Sequence, residues 1–181
     1  MHGGVAARRE RFEAAYRELY APICGYVLRR VREPEDAAEA IAETFATLWR
    51  RFDRCPQSDE LRPWLYGVAR RVVANQRRGA RRRTALGERL VANFDQGAFD
   101  AFDRPEDTSE LARAFADLSD SDRELLSLVA WEGLTRDEVA VALGTSRAVV
   151  RLRLHRARRR LRDALPAPQI RLTGGEDHEW T

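Results

Sequence analysis

The chain has no lysine: all 32 of its basic side chains are arginine. With so many alanines beside them, this points to a GC-rich coding sequence, so arginine content by itself is no sign of phosphate binding. Only its clustering is informative. There are two cysteines, Cys24 and Cys55, without CxxC or Cys/His ligand spacing, which excludes a disulfide framework and a zinc site of the usual pattern and predicts reduced thiols. The three histidines, His2, His155 and His178, are scattered. No Ser/His/Asp or paired-carboxylate spacing stands out, and no glycine-rich phosphate loop is present. The chain is therefore expected to be no enzyme and to carry neither metal nor cofactor. No apolar run is long enough to span a bilayer, and "MHGGVAARRERFEAAYREL" has no apolar signal core; a soluble, cytoplasmic protein without membrane insertion is expected.

At 181 residues the chain suits one ordinary domain or two small ones. Roughly two-thirds of the unfolded surface can be buried at this size, enough for a core without disulfides. The net charge of +3 understates the polarity, because the charges are segregated. Arginines bunch at Arg70 to Arg83 and Arg147 to Arg162, and acids between Asp95 and Glu110. Two contacts with a polyanion, separated by an acidic segment, follow from that layout.

Strand-type alternation is missing, whereas helical spacing recurs throughout. Phe12, Ala15, Tyr16, Leu19, Ile23, Tyr26 and Val27 form one stripe, with Pro22 placed to bend or split it. In "REPEDAAEAIAETFATLWRRF", Pro34 suits a first helical turn and Glu35 and Asp36 favour the positive helix end. Ala38, Ile41, Phe45, Leu48 and Phe52 then predict the inward face. "LRPWLYGVARRVVANQRRGARRR" resumes with Trp64, Leu65, Val68 and Val72 inward and arginines outward. These three helices predict a small bundle over residues 1–85. Residues 86–110 read as an acidic linker, with Gly97, Pro105 and phenylalanines at Phe94, Phe99 and Phe102. Residues 111–165 are helical again, with Leu111, Ala114, Phe115 and Leu118 on one stripe, and residues 166–181 read as a mobile tail. The expected fold is all-α: two small helical domains joined by the linker. Trp49, Trp64 and Trp131 are most simply core residues.

Capping-box spacings at Ser121/Glu124 and Thr135/Glu138 predict helix starts near Asp122 and Arg136. The second leads into "LTRDEVAVALGTSRAVVRLRLHRARRRL". A short helix with Val139 and Leu143 inward meets Gly144, placed for a positive φ. Thr145 or Ser146 then caps a second helix. Along it Val150, Leu154, Ala157 and Leu161 fall on one stripe, and Arg147, Arg151, His155 and Arg158 largely on another. A merely solvated basic helix would carry acidic partners four residues away, and this one has scarcely any. A helix-turn-helix whose arginine helix enters a DNA major groove is the better reading.

Both halves resemble the extracytoplasmic-function sigma factors of bacterial RNA polymerase, from about Phe12 to Leu165. "EDAAEAIAETFATLWRRF" is similar to region 2.2 of that family, and "RPWLYGVARRVVANQRR" to regions 2.3 and 2.4. "LSDSDRELLSLVAWEGLTRDEVAVALGTSRAVVRLRLHRARRRL" is similar to region 4. The resemblance implies a promoter-specificity subunit whose partners are core RNA polymerase (beta-prime clamp and beta flap), promoter DNA and an anti-sigma factor. It assigns Glu39, Glu43 and Phe45 to core docking. Trp64 lies on the helix that melts and reads the minus-10 element, with Arg70, Arg71, Asn75 and Arg78 as expected contacts and the loop Arg54 to Glu60 cradling a flipped base. Arg147, Arg151, Leu152, His155 and Arg156 are the expected minus-35 contacts. Ala42 stands where the family often has glutamine, Arg71 where asparagine is common, and Leu152 where a small serine is usual. The acidic linker would thread a basic path in the polymerase, with Asp95, Asp100, Asp103, Glu106 and Asp107 mimicking nucleic-acid charge. Two other readings use the same residues: a helix-turn-helix regulator that needs no polymerase, and a sigma-like interaction module that starts no transcription.

Overall fold

In the C-terminal part of the chain, helices begin at side-chain caps supplied by Ser119, Thr135 and Ser146. The computed structural model describes residues 2–56, 58–88 and 110–165, and no strand occurs among them. The first unit holds α1 (His2–Leu28), α2 (Pro34–Arg51), a 3-10 turn (Ser58–Glu60) and α3 (Leu61–Glu88). The second holds α4 (Glu110–Ala116), α5 (Asp120–Ala130), α6 (Arg136–Leu143) and α7 (Arg147–Ala164). Pro22 neither splits α1 nor ends it; the turn after it is held by Ile23, Tyr26 and Val27, all buried. Pro34 opens α2, with Glu35 and Asp36 in the first turn. α3 runs to Glu88, three residues beyond the expected domain edge. The rest of the expected linker and the whole of the expected tail lie outside the described residues. Among the described residues no helix is long and apolar enough to cross a membrane.

Several expected core positions are placed differently. On α2 the buried stripe is Ala37, Ala40, Thr44, Phe45 and Leu48; Ala38 lies about 100° off it, one residue out of phase, and is exposed. Tyr16 and Leu111 sit at the edges of their stripes and reach solvent. Trp49 is 39% and Trp131 is 51% exposed. Trp49 stands at the flank of α2, its ring edge-on to Phe12 at 4.8 Å and capped by the Arg8 guanidinium at 4.1 Å. Trp131 is the C-cap of α5, where the chain leaves the helix, and its ring meets Phe115 edge-on at 5.2 Å. α5 is capped by Ser119, whose side chain accepts from the Asp122 amide, rather than by Ser121. Both Cys24 and Cys55 are free thiols, with Cys55 buried.

The two units meet along a charged seam, and their buried apolar residues join in one cluster. α3 lies against α6 so closely that a Cβ on Gly67 would come within 2.7 Å of the Ala142 carbonyl oxygen. Beside that contact the Arg30 side chain, 3% exposed, lies between two carboxylates of the second unit. Its Nε donates to Glu124 at 2.9 Å and its Nη1 to Glu132 at 3.3 Å, while the guanidinium stacks over the Tyr26 ring at 3.7 Å. Tyr26 donates to Glu124 at 2.7 Å, and Arg29 to Glu132 at 2.6 Å. Arg62 reaches the Glu132 carbonyl and, at 3.4 Å, the Glu138 carboxylate. The Tyr66 hydroxyl points at Glu132 from 3.5 Å.

Burial first, and the Glu124 carboxylate second, push the Tyr26 phenol well above its usual range. Burial and then Glu132 raise Tyr66. A phenol whose pKa is raised by folding contributes fully below its unfolded value of about 10 and loses that contribution as pH climbs through the folded value. In an alkaline titration above about pH 10, phenolate absorbance from Tyr26 and Tyr66 should rise together with the loss of near-ultraviolet circular dichroism. Full phenolate absorbance before any change in dichroism would mean that the seam leaves both rings open to solvent.

Candidate nucleic-acid interface

The C-terminal helix pair is set by three short devices. Thr135 and Glu138 form a reciprocal capping box: Thr135 Oγ1 accepts from the Glu138 amide at 3.3 Å and Glu138 Oε2 accepts from the Thr135 amide at 2.8 Å. That fixes the start of α6. Gly144 ends it with φ 63°, a left-handed conformation that costs a glycine little. Ser146 then caps α7, accepting from the Val149 amide at 3.3 Å. The structure therefore selects Ser146 over Thr145.

From that start, α7 buries Val150, Leu154 and Ala157. The side opposite this stripe carries Ala148, Leu152, His155 and Arg159, flanked by Arg151 and Arg156, and all six are exposed. Arg151, Leu152, His155 and Arg156 thus share one open surface on the middle turns of α7, and Arg147, also exposed, stands in the first turn about half a turn round the helix from Arg156. Leu152 stands at the crest of that surface, 50% exposed. The first turn of α7 has no acidic residue, so the helix dipole and the arginines add rather than cancel. Among the described residues no carboxylate lies within ion-pair distance of Arg151, Arg156 or Arg158. Arg147 is held by Asp137 at 3.2 Å and Arg159 by Asp163 at 3.5 Å. Arg160 instead reaches back 2.6 Å to Asp122, whose side chain is almost wholly buried, and ties α7 to the start of α5. Arg159 is the member of this surface that sequence reasoning missed, although its spacing from Leu152 and His155 carried the signal.

The first unit offers a second basic surface on α3. Arg71, Asn75 and Arg78 are exposed and follow one another at helical spacing, and Arg78 donates to the Asn75 side chain. Trp64 shares their side by spacing and is half-buried against the core. Arg70 does not share it. One turn beyond Tyr66 and Gly67, it faces the seam, and its Nε is buried without a partner. Gln76 and Arg77 are turned inward, donating to the Asp36 and Arg30 carbonyls. The loop expected to hold a flipped base is described apart from residue 57, and Ser58 there has φ 55°.

On α2, Glu39 and Glu43 are exposed, with Glu43 paired to Arg50 at 2.5 Å. Phe45 is not beside them on the surface. It is buried, and Tyr16 and Tyr20 lie over it at 4.7 and 5.9 Å. The exposed rings of this region are Tyr16, Tyr20 and Trp49, an aromatic patch the sequence hid because each of these residues also fits a core stripe. Contiguous exposed aromatics of this kind mark protein–protein contact.

Comparison with known proteins places both units in one family. Residues 15–83 match the family model for Sigma-70 region 2, and residues 108–161 that for Sigma-70, region 4. The ECF RNA polymerase sigma factor SigL of Mycobacterium tuberculosis is 30% identical over 164 residues, covering 88% of this chain and 92% of that protein. The RNA polymerase sigma factor YlaC of Bacillus subtilis is 26% identical over 162 residues, with 85% and 91% covered. Among solved structures, the sigma factor RpoE from Bartonella quintana, in complex with the anti-sigma factor NepR, superposes with a TM-score of 0.63 at 20% identity, covering 86% of this chain and 97% of that one. At that identity the likeness speaks to the fold.

The differing surroundings of the α7 arginines have a measurable consequence. Alanine at Arg151 or Arg156 should weaken DNA binding and lower the log–log salt slope by up to about 0.9 for each phosphate no longer neutralised, with the melting temperature unchanged. Alanine at Arg160 should instead leave the Asp122 carboxylate unpaired and lower stability by about 1–3 kcal/mol. Chemical denaturation and salt-dependent fluorescence anisotropy separate the two effects; equal losses in all three variants would refute the division.

Proposed function

This chain belongs to the extracytoplasmic-function sigma factors of the sigma-70 family, and on that footing we propose how its surfaces divide the work of directing promoter-specific transcription by RNA polymerase. α7 reads the minus-35 element in the major groove through Arg151, Leu152, His155 and Arg156, with Arg147 at the phosphates. Arginine forks recognise guanine bidentately, and each such contact is worth about 1–3 kcal/mol of discrimination. The observation that carries this reading is the register of α7, whose buried stripe leaves that set opposite it, exposed and almost free of acidic partners.

α3 holds the melted minus-10 strand through Arg71, Asn75 and Arg78. Unstacking costs a few kcal/mol, and capture of a released base offsets it. Glu39 and Glu43, together with the aromatic patch of Tyr16, Tyr20 and Trp49, dock on the polymerase, and Phe45 packs against Tyr16 and Tyr20 of that patch. The polymerase supplies the chemistry, in the cytoplasm where it works. An anti-sigma factor, the kind of partner present in the RpoE complex, would act by covering these surfaces.

Run-off transcription with purified core polymerase, on a pool of upstream regions from the source genome, tests the assignment. Adding the chain should yield specific transcripts that share two spaced elements. Alanine at both Arg151 and Arg156 should abolish promoter selection. Binding to DNA without polymerase and without transcripts would favour a free-standing regulator; survival of selective transcription in the double variant would favour an interaction module.

A further inference from the structure

We propose that Leu152 selects thymine: the exposed apolar strip of Ala148, Val149 and Leu152 on α7 takes the methyl group of a T·A pair in the minus-35 element. The inference rests on the reading of α7 given above and names a base that the helix selects.

The strip follows from the register of α7. Val150, Leu154 and Ala157 are buried, which leaves Ala148, Val149 and Leu152 exposed in the first half of the helix. Positions three and four apart on a helix are neighbours, so Val149 and Ala148 both adjoin Leu152. Side chains on a helix lean toward its N-terminus, which directs Leu152 over that preceding turn. His155 and Arg156 follow one turn further on and are exposed as well. This side of α7 is therefore apolar at its N-terminal turns and polar after them. Recognition helices bring their N-terminal residues to the base edges, so the apolar end is the one that meets them.

Only one group on those edges suits it. In the major groove guanine presents two acceptors, cytosine a donor, and adenine an acceptor and a donor; thymine presents an acceptor beside a methyl group. A leucine set against a polar edge displaces water and returns no hydrogen bond, which costs free energy. Set against the thymine methyl, it removes apolar surface from water on both partners. A protein partner fits the strip less well, because the cores of protein interfaces are depleted in charge. Here Arg151 stands beside Leu152 and Arg156 one turn beyond it, and among the described residues neither has a carboxylate within ion-pair distance. Arginine forks match guanine, so the selected thymine should lie beside a G·C pair.

The test uses holoenzyme, assembled from core polymerase and the full chain, and promoter duplexes randomised across the minus-35 element. Sequencing the bound fraction should show thymine enriched at one position beside a guanine. Deoxyuridine at that position removes the methyl and nothing else. It should weaken binding about fourfold, the worth of one buried methyl-sized group. Leu152→Ala should bind the thymine and deoxyuridine duplexes alike and keep its guanine preference; alanine is the better helix former, so α7 is not weakened. Leu152→Met, apolar and of similar size, should retain the preference for thymine. Three results overturn the assignment: no thymine enriched, no loss with deoxyuridine, or the same loss in Leu152→Ala. Guanines enriched without thymine would sink this inference alone. A bound fraction with no base preference in the minus-35 element would sink the reading of α7 with it.

Discussion

A guanidinium taken out of water needs its charge answered, and for Arg30 both answering carboxylates come from the other half of the chain. Glu124 and Glu132 sit on α5 and on the turn after it, more than ninety residues from Arg30 in sequence. Leaving Arg30 buried without them would cost about 3–5 kcal/mol, so the end of α1 and the α5–α6 turn must stay together wherever Arg30 stays buried. Desolvation lowers and the surrounding acids raise the Arg30 pKa, with a net upward shift, and the side chain remains a cation. Everything else along the seam follows from that placement: Tyr26 under the guanidinium, Arg29 and Tyr66 beside the shared carboxylate, and α3 drawn against α6 at Gly67.

α3 is the element on which this arrangement presses hardest, because it serves three neighbours at once. Leu65, Val68, Ala69 and Val73 are buried in the apolar cluster. Arg62, Tyr66 and Gly67 face the second unit. Arg71, Asn75 and Arg78 face solvent. A helix has room for three such faces only if each is narrow, and a single arginine run therefore splits into parts with different roles. Arg70 goes to the seam and Arg77 to the Arg30 carbonyl, while Arg71 and Arg78 stay exposed.

α7 follows the opposite economy, with one buried stripe and one open surface. Its position depends on a left-handed glycine, a serine cap and a long-range ion pair from Arg160 to Asp122. None of these touches the open surface, so the residues that place the helix are separate from those proposed to read bases. Such separation would let the side chains of that surface vary, Leu152 among them, without loosening the scaffold that presents them.

Much of this was legible in the chain itself. Period, caps and turn glycine located α6 and the turn, and the start of α7 to within one residue, and the stripe through Val150, Leu154 and Ala157 indicated most of the arginines that face outward. These features are local: a helix start depends on three or four neighbours, and a helix face on spacing alone. What the tertiary structure decided is everything that depends on a partner distant in sequence. Spacing placed Trp49, Trp131 and Tyr16 among core candidates, but in the folded chain each stays exposed. Phe45 and Glu43 lie two residues apart, yet one is buried and the other exposed. Above all, no local pattern marks Arg30, Glu124 and Glu132 as one group, because charge pairing carries no periodicity. The sequence by itself determined two helical units and their basic surfaces; only the packing of α3 on α6 determined that those units meet, since a buried ion pair exists only once both of its partners have been folded into place.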